Sequence, residues 1–383
     1  MQVNLLFILT TDQLYMYRCL ELATQAAGYV SPNPMVGAVL VHDGRIIGEG
    51  YHRQYGQAHA EVNCIDSVPD ADTELISKST LYVSLEPCAH FGKTPPCADL
   101  IIKHKIPKCV IGCRDPFKEV NGKGIEKLQV AEVDVEVGVL EKECKELNKR
   151  FFTFHTLHRP YIVLKWAQTA DGFIAAPLNS FEGWRDSPEN PSDKKIVHDR
   201  LLISNDYSNR LVHKWRGEEA AILVGTNTAL LDDPELTTRL WKGGRSPVRL
   251  VVDMNLRLPS FLKIFNDAAR TVVFNSIKHE EKGNLLYYQL NKEDTIIRQM
   301  MHALYELKLQ SVLVEGGTRL LQSLINENLW DEIRIIKNTE LTLSDSQRTY
   351  GLRAPVLRSF IKESDMKLMN DSIEILKPHV NGF

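Results

Sequence analysis

Three short runs hold the side chains that could bind a metal and move a proton: His59-Ala60-Glu61, Glu86-Pro87-Cys88 and Pro95-Pro96-Cys97. Each stands where a polar turn or a β-rich run gives way to an apolar stretch, so each is expected at or near the start of a helix. A positive helix end favours a thiolate, and so does a bound cation. One histidine and two cysteines make a three-ligand set, which leaves one position of a tetrahedral zinc open. A water in that position has its pKa lowered to roughly 7. Glu61, two residues from His59, is not needed as a ligand. It is free to take the water's proton and pass it to a leaving amine, which is the chemistry of hydrolytic deamination of an aminated heterocycle.

Taken singly, these runs say little. His-Ala-Glu is common, and two cysteines are more often small buried hydrophobes. A structural zinc would take four protein ligands, with His90 as the fourth; we read His90 as facing substrate instead. The strength lies in three pieces in order, each at a strand-to-helix junction. Cys19, Cys64, Cys109, Cys113 and Cys144 are read as core residues. A histidine-x-glutamate followed by paired cysteines is the arrangement of zinc nucleobase deaminases.

The elements that must position these groups alternate in type. Val36 to Val41 and Arg45 to Tyr51 read as a hairpin turning at Asp43-Gly44. Leu81 to Leu85, Cys109 to Cys113 and Asp134 to Val139 read as strands. Asp12 to Ala27, Ala98 to His104 and Leu140 to Phe152 have helical spacing. Lys149 to Arg159 reads as a junction, where the helical pattern ends and His158-Arg159-Pro160 signals a turn. A second series of strands follows: Tyr161 to Ala167, Ala220 to Val224, Val248 to Asp253, Thr271 to Asn275, Gln310 to Glu315 and Glu332 to Lys337. The fold class is therefore α/β. Two domains are expected, residues 12–152 and 159–383, in a chain of 383 residues. The polar run 177–199 interrupts the second as a long loop.

Two features of the second half bear on chemistry. Ser311 to Leu324 reads strand, Gly-Gly turn, helix; bare backbone amides at a helix start suit a pyrophosphate, though a simple tight turn would look the same. Lys165 stands inside an apolar strand, where burying an ammonium is costly unless it is paired, so it either snorkels to an edge or faces a pocket. Asp171 is the expected partner.

The net charge of -3 offers no basic field for a polynucleotide. The seven cysteines are odd in number, and none follows Cys144; a reducing compartment is expected. The apolar run Leu5 to Leu9 lacks a basic flank and is too short to span a bilayer. We expect a cytoplasmic protein with a frayed N-terminus, a small-molecule substrate, no nucleic-acid or membrane partner, and a homo-oligomeric state.

The wide spacing Cys88-Ala-His-Phe-Gly-Lys-Thr-Pro-Pro-Cys97 resembles the bifunctional deaminase/reductase family of riboflavin biosynthesis. So do Ser31-Pro32-Asn33-Pro34, Asp115-Pro116, Asn121-Gly122-Lys123-Gly124, Leu164-Lys165-Trp166-Ala167, Gly225-Thr226-Asn227-Thr228, Asp232-Asp233-Pro234 and Val314-Glu315-Gly316-Gly317. The resemblance spans roughly residues 12–340. It implies a cytidine-deaminase-like three-layer domain followed by a dihydrofolate-reductase-like domain. It implies zinc on His59, Cys88 and Cys97 with Glu61 catalytic, and deamination of a diaminopyrimidinone ribosyl phosphate. It also implies NADPH reduction of the ribosyl group to a ribityl chain. By the same resemblance, Ala167, Thr228, Asp232, Gly317 and Thr318 contact NADPH. Asn33, His90, Arg216, Leu236, Arg239 and Glu315 contact substrate, and Lys165 binds or polarises the ribose. The sequence departs from the family at Arg200 and Leu202, where a serine and a tryptophan are usual, and in the longer 177–199 loop. Two rival readings follow: a zinc deaminase of another nucleobase or nucleoside with a nucleotide-binding but catalytically weak second domain, or a protein whose second half only retains nucleotide.

Overall fold

The computed structural model describes residues 9–91, 95–175, 201–343 and 351–379. The chain divides into two compact units, Met1–Arg159 and Pro160–Phe383.

In the first unit a five-stranded sheet has the order β2-β1-β3-β4-β5. Its strands are β1 (Gly37–His42), β2 (Arg45–Tyr51), β3 (Thr80–Leu85), β4 (Lys108–Cys113) and β5 (Asp134–Val137). The expected hairpin turn is present, with Asp43 at φ 46° and Gly44 at φ 79°, the pair of positive values a two-residue turn of the right twist needs. Strand residues alternate between two cores. Ala38, Leu40, Leu81, Val83, Cys109 and Ile111 pack against α2 (Ala60–Asp66), α3 (Cys97–Lys103) and α4 (Lys123–Val130). Val39, Val41, Tyr82, Val110 and Cys113 pack against α1 (Thr11–Thr24) and α5 (Glu141–Leu147). Helices thus cover both sheet faces, giving the expected three layers. The chain enters α1 through a capping box, Thr10 and Gln13 each bonding the other's backbone N–H.

Three features differ from expectation. The single helix read over Leu140 to Phe152 is two, α5 and α6 (Lys149–Leu157), and α6 fills most of the stretch read as a junction. Between them Asn148 leaves helical geometry, at φ −102° and ψ 22°. Its buried amide reaches back to the loop before β1, accepting Met35 N–H at 2.8 Å and donating to Met35 O at 2.8 Å. A 3-10 helix over Asp70–Lys78, and α4, carried no clear periodicity and were not expected.

The second unit is built on a ten-stranded sheet, β11-β12-β10-β9-β8-β13-β6-β14-β17-β16. The expected strands are β6 (Tyr161–Gln168), β8 (Ala221–Gly225), β9 (Val248–Val252), β10 (Thr271–Asn275), β13 (Ser311–Val314) and β14 (Glu332–Asn338). With β12 (Leu285–Gln289) they form a parallel block. Antiparallel β11 (Glu280–Lys282) borders β12, and the hairpin of β16 (Ile361–Leu368) and β17 (Asp371–Lys377) extends the other side. Short β7 (Phe173–Ala175) pairs with β15 (Leu352–Arg353).

Both faces are again buried, as parallel sheets require. Ile162, Leu164 and Leu223 pack with α9 (Ile296–Glu306) and α10 (Thr318–Asn326). The alternate residues Tyr161 and Val163 meet Val212 and Trp215 of α7 (Asp206–Glu218). Ile222 and Val224 meet Ala229 of α8 (Thr226–Asp232). No helix among the described residues is long and apolar enough to cross a membrane. Residues 1–8, Arg200 and the 177–199 loop lie outside the described residues.

Asn148→Leu leaves the half-buried Met35 N–H and C=O without their partner, at a cost of about 1 kcal/mol or more. The expected outcome is a lower unfolding midpoint for the first unit and faster hydrogen exchange at the Met35 amide; unchanged exchange there would refute the clasp.

Candidate functional site

Strands β2, β3 and β4 all run in one direction, so their carboxyl ends share one edge of the sheet. His59 follows β2 and sits in extended conformation as the N-cap of α2, at φ −73° and ψ 168°. Cys88 follows β3, and Cys97 is the first residue of α3. The three meet: His59 Nδ1 lies 3.6 Å from Cys88 Sγ and 3.3 Å from Cys97 Sγ. All three donor atoms lie within 4.8 Å of one another. Two soft sulfurs and one imidazole converging from separate elements are a donor set suited to zinc. The Cys97 amide, at the start of α3, donates to Cys88 Sγ at 3.4 Å. The Cys97 thiol, together with His59, pushes the Cys88 pKa down to about 4, and the same contact pushes Cys97 up. The Cys88 sulfur in turn raises the His59 pKa.

Glu61 is 3% exposed in the first turn of α2. Burial raises its pKa against the opposing charge of His59. Asn33 contacts His52, Nδ2 to Nε2 at 3.1 Å, and His52 Nδ1 lies 3.0 Å from Ala58 O. Two interactions are mutually consistent if Asn33 donates and His52 carries its proton on Nδ1. His90 is exposed, with its ring edge-on to Phe117 at 6.3 Å. Residues 92–94, part of the run between the two cysteines, lie outside the described residues.

Sequence reading missed what holds this edge in place. Glu86, buried between β3 and Cys88, accepts the backbone N–H groups of Asp115, Gly122, Gly124 and Ile125 at 3.0–3.4 Å. It caps α4 and ties the 115–125 segment to the cysteine loop. Gly124 completes the contact: a Cβ there would stand 1.9 Å from Pro87 O. Asp115 was also unassigned. Its buried carboxyl is pushed up to about 7 by desolvation, with the charges of Glu86 and Cys88 adding and the Phe117 amide opposing. Glu86 and Asp115 both stand in motifs the sequence offered, Glu86-Pro87-Cys88 and Asp115-Pro116, but their contacts with backbone N–H groups left no signal there.

In the second unit the carboxyl ends of parallel β6, β8 and β13 come together. Lys165 and half-buried Ala167 lie in β6; β8 leads through Gly225 into α8 with Thr228 in its first turn and Asp232 at its end. β13 leads through Glu315, Gly316 and Gly317 into α10. A Cβ on Gly316 would lie 3.0 Å from Val224 Cα, so the two turns approach backbone to backbone. Gly317, at φ 52°, caps α10 beside Thr228. The Thr318 hydroxyl donates to Arg353 O at 2.7 Å.

Arg216 of α7 grips Glu315 with two bonds, of 2.7 and 2.8 Å, and Lys165 Nζ lies 3.9 Å from the same carboxylate. Burial opposes the Glu315 charge, but Arg216 and Lys165 hold its pKa down to about 2. Lys165 thus stands beside Glu315, and Asp171 accepts from Thr169 Oγ1 at 2.5 Å and from Leu343 N at 3.0 Å. Leu236 is buried at φ 57°; Arg239 is half exposed and 3.7 Å from Glu235. Leu202, at one of the family departures, is 72% exposed.

Comparison with known proteins agrees across both units. Residues 9–113 match the cytidine and deoxycytidylate deaminase zinc-binding region, and residues 160–339 match the RibD C-terminal domain. The riboflavin biosynthesis protein RibD of Aquifex aeolicus is 40% identical over 326 residues, 84% of this chain and 85% of the relative. A crystal structure of a diaminohydroxyphosphoribosylaminopyrimidine deaminase/5-amino-6-(5-phosphoribosylamino)uracil reductase from Thermotoga maritima shares 34% identity at TM-score 0.80, covering 96% of this chain and 99% of that one. RibD of Acinetobacter baumannii gives 28% identity and TM-score 0.81 over 96% and 99%.

Glu86→Gln exchanges one acceptor oxygen for a donor facing amides, at a cost of about 1–3 kcal/mol. Hydrogen exchange at Gly122 and Gly124 should quicken while the second unit's amides keep their protection; equal protection in the variant would refute the clamp.

Proposed function

This chain belongs to the bifunctional deaminase/reductase family of riboflavin biosynthesis, and on that premise we propose which residues carry each of its two reactions. The enzyme hydrolytically deaminates 2,5-diamino-6-ribosylamino-4(3H)-pyrimidinone 5′-phosphate, then reduces the ribosyl group to a ribityl chain with NADPH. Zinc, when bound, supplies a polarised water to the first reaction, and NADPH supplies hydride to the second.

We assign residues 12–152 to deamination and 159–383 to reduction. His59, Cys88 and Cys97 hold the metal, a reading carried by their convergence within 4.8 Å. Glu61 takes up the proton that the attacking water releases and hands it to the departing amine; a carbon–oxygen bond forms, the carbon–nitrogen bond breaks, and ammonia leaves. Burial suits it to this role, because a raised pKa strengthens a carboxylate as a proton acceptor. Asn33, its amide steadied by His52, and His90 contact the pyrimidine ribosyl phosphate.

For reduction, Ala167, Thr228, Asp232, Gly317 and Thr318 hold the nucleotide. Two adjoining helix starts, each led by a glycine without a side-chain cap, favour a pyrophosphate there. Arg216, Leu236, Arg239 and Glu315 hold substrate, and Lys165, beside Glu315, polarises the ribose. Aligning ribose and nicotinamide is the main demand of hydride transfer. A deaminase of another base with a catalytically weak second domain is not favoured, since the relatives match both units. We further read the enzyme as a homo-oligomer that binds no nucleic acid, a reading supported by the net charge of -3 and by exposed Ile361, Met366 and Met369 at one sheet edge.

Glu61→Gln should keep its zinc by metal analysis and lose ammonia release by about 10²–10⁴-fold. Near-normal turnover in that variant sinks the proton-shuttle role. Cys88→Ser should lose the metal as well as the activity. Given the deaminated intermediate, the intact chain should oxidise NADPH and Lys165→Met should be slower by about 10²-fold or more. An intact chain that leaves NADPH untouched ends the reductase assignment.

A further inference from the structure

The second unit contains a buried histidine that no step above uses. His213 is 4% exposed on α7, three residues before Arg216. The Leu240 backbone N–H donates to its Nδ1 at 3.4 Å. An Nδ1 that accepts carries no proton, so the neutral ring keeps its hydrogen on Nε2. This bond ties α7 to the segment 236–240, and a second tie runs from Arg216 Nη1 to Thr237 O at 3.3 Å. The segment needs such ties. Leu236 is held at φ 57°, a region that costs an L-residue energy. Thr237 Oγ1 is buried with no hydrogen-bond partner among the described residues. Arg239, whose side chain is 54% exposed, has only Glu235 nearby at 3.7 Å among the described ion pairs.

We propose that His213 is a positioning residue for the substrate phosphate: by accepting the Leu240 amide it fixes the 236–240 segment beside Arg216, so that Arg216 and Arg239 meet the dianion together. The inference rests on the reading that those two arginines contact substrate. Its physical content is preorganisation, since a segment already held in place loses less conformational freedom on binding. The charged groups acting on the ring are Arg216, Arg239, Glu315 and Lys165. Burial first, then the three cations, push the His213 pKa down to about 4 against the pull of Glu315. The ring therefore stays an acceptor through neutral pH.

The test uses the full chain and steady-state NADPH oxidation with the deaminated ribosyl phosphate. His213→Phe keeps a ring and removes the acceptor; His213→Asn restores an acceptor oxygen near the Nδ1 position. H213F should raise KM for the ribosyl phosphate about tenfold, the scale of one lost hydrogen bond, with kcat and the KM for NADPH little changed. H213N should recover most of that loss, and ammonia release should stay normal in both. An unchanged KM in H213F overturns the proposal. So does a loss confined to kcat, a parallel loss of NADPH affinity, or an H213N no better than H213F. Arg239→Met separates the two levels: if it too leaves KM unchanged, the phosphate reading fails, whereas an impaired R239M beside a normal H213F overturns the role of His213 alone.

Discussion

Covering both faces of a sheet with helices leaves its strand ends as the places where polar groups can gather, and both units obey that constraint. In the first, strand residues alternate between two apolar cores, so nothing ionisable can face outward from the sheet without being buried. The metal-ligating groups instead follow the carboxyl ends of β2 and β3, where helix starts supply amides that stabilise a thiolate. In the second, parallel strands β6, β8 and β13 do the same for Lys165, Thr228 and Glu315. Ligand crevices at the carboxyl ends of parallel strands are a general outcome of this architecture.

The same constraint explains which residues could be read from the sequence. His59, Cys88 and Cys97 announce themselves because each chemistry-bearing type stands at a boundary between polar and apolar patterns. Lys165 is legible as an anomaly, a cation in an apolar strand, but its nearness to Glu315 is not: Glu315 follows β13, adjacent in the sheet yet far along the chain. Glu86 and Asn148 act on backbone atoms, and backbone atoms leave no mark on a residue pattern. Strand β16 was invisible for a different reason. Its residues IKESDMKL face solvent almost throughout, so no alternation of apolar and polar side chains betrays it, and its pairing is imposed by β17.

The two sites treat charge in opposite ways. Around the cysteines, negative groups crowd together: Glu61, Asp115 and the thiol of Cys97 all have pKa values raised by burial or by one another. Such a cluster suits a divalent cation and groups that pick up protons. In the second unit one carboxylate, Glu315, meets the charges of Arg216, Lys165 and His213, and Arg239 acts on His213. A surplus of fixed positive charge there suits a phosphorylated ligand, and the neutral state of His213 keeps that surplus from growing large enough to repel its own members.

The clasp between Asn148 and Met35 joins positions 113 residues apart. During synthesis, chain emerges N-terminus first, so the loop bearing Asn33 exists long before the side chain that secures it. Until the ribosome has extruded α5 and the residue after it, that loop has contacts such as Asn33 with His52 but lacks the clasp at Met35. A nascent chain halted short of residue 148 would therefore display a nearly whole sheet with an unfinished pocket, and shape at this edge is among the last things the unit acquires.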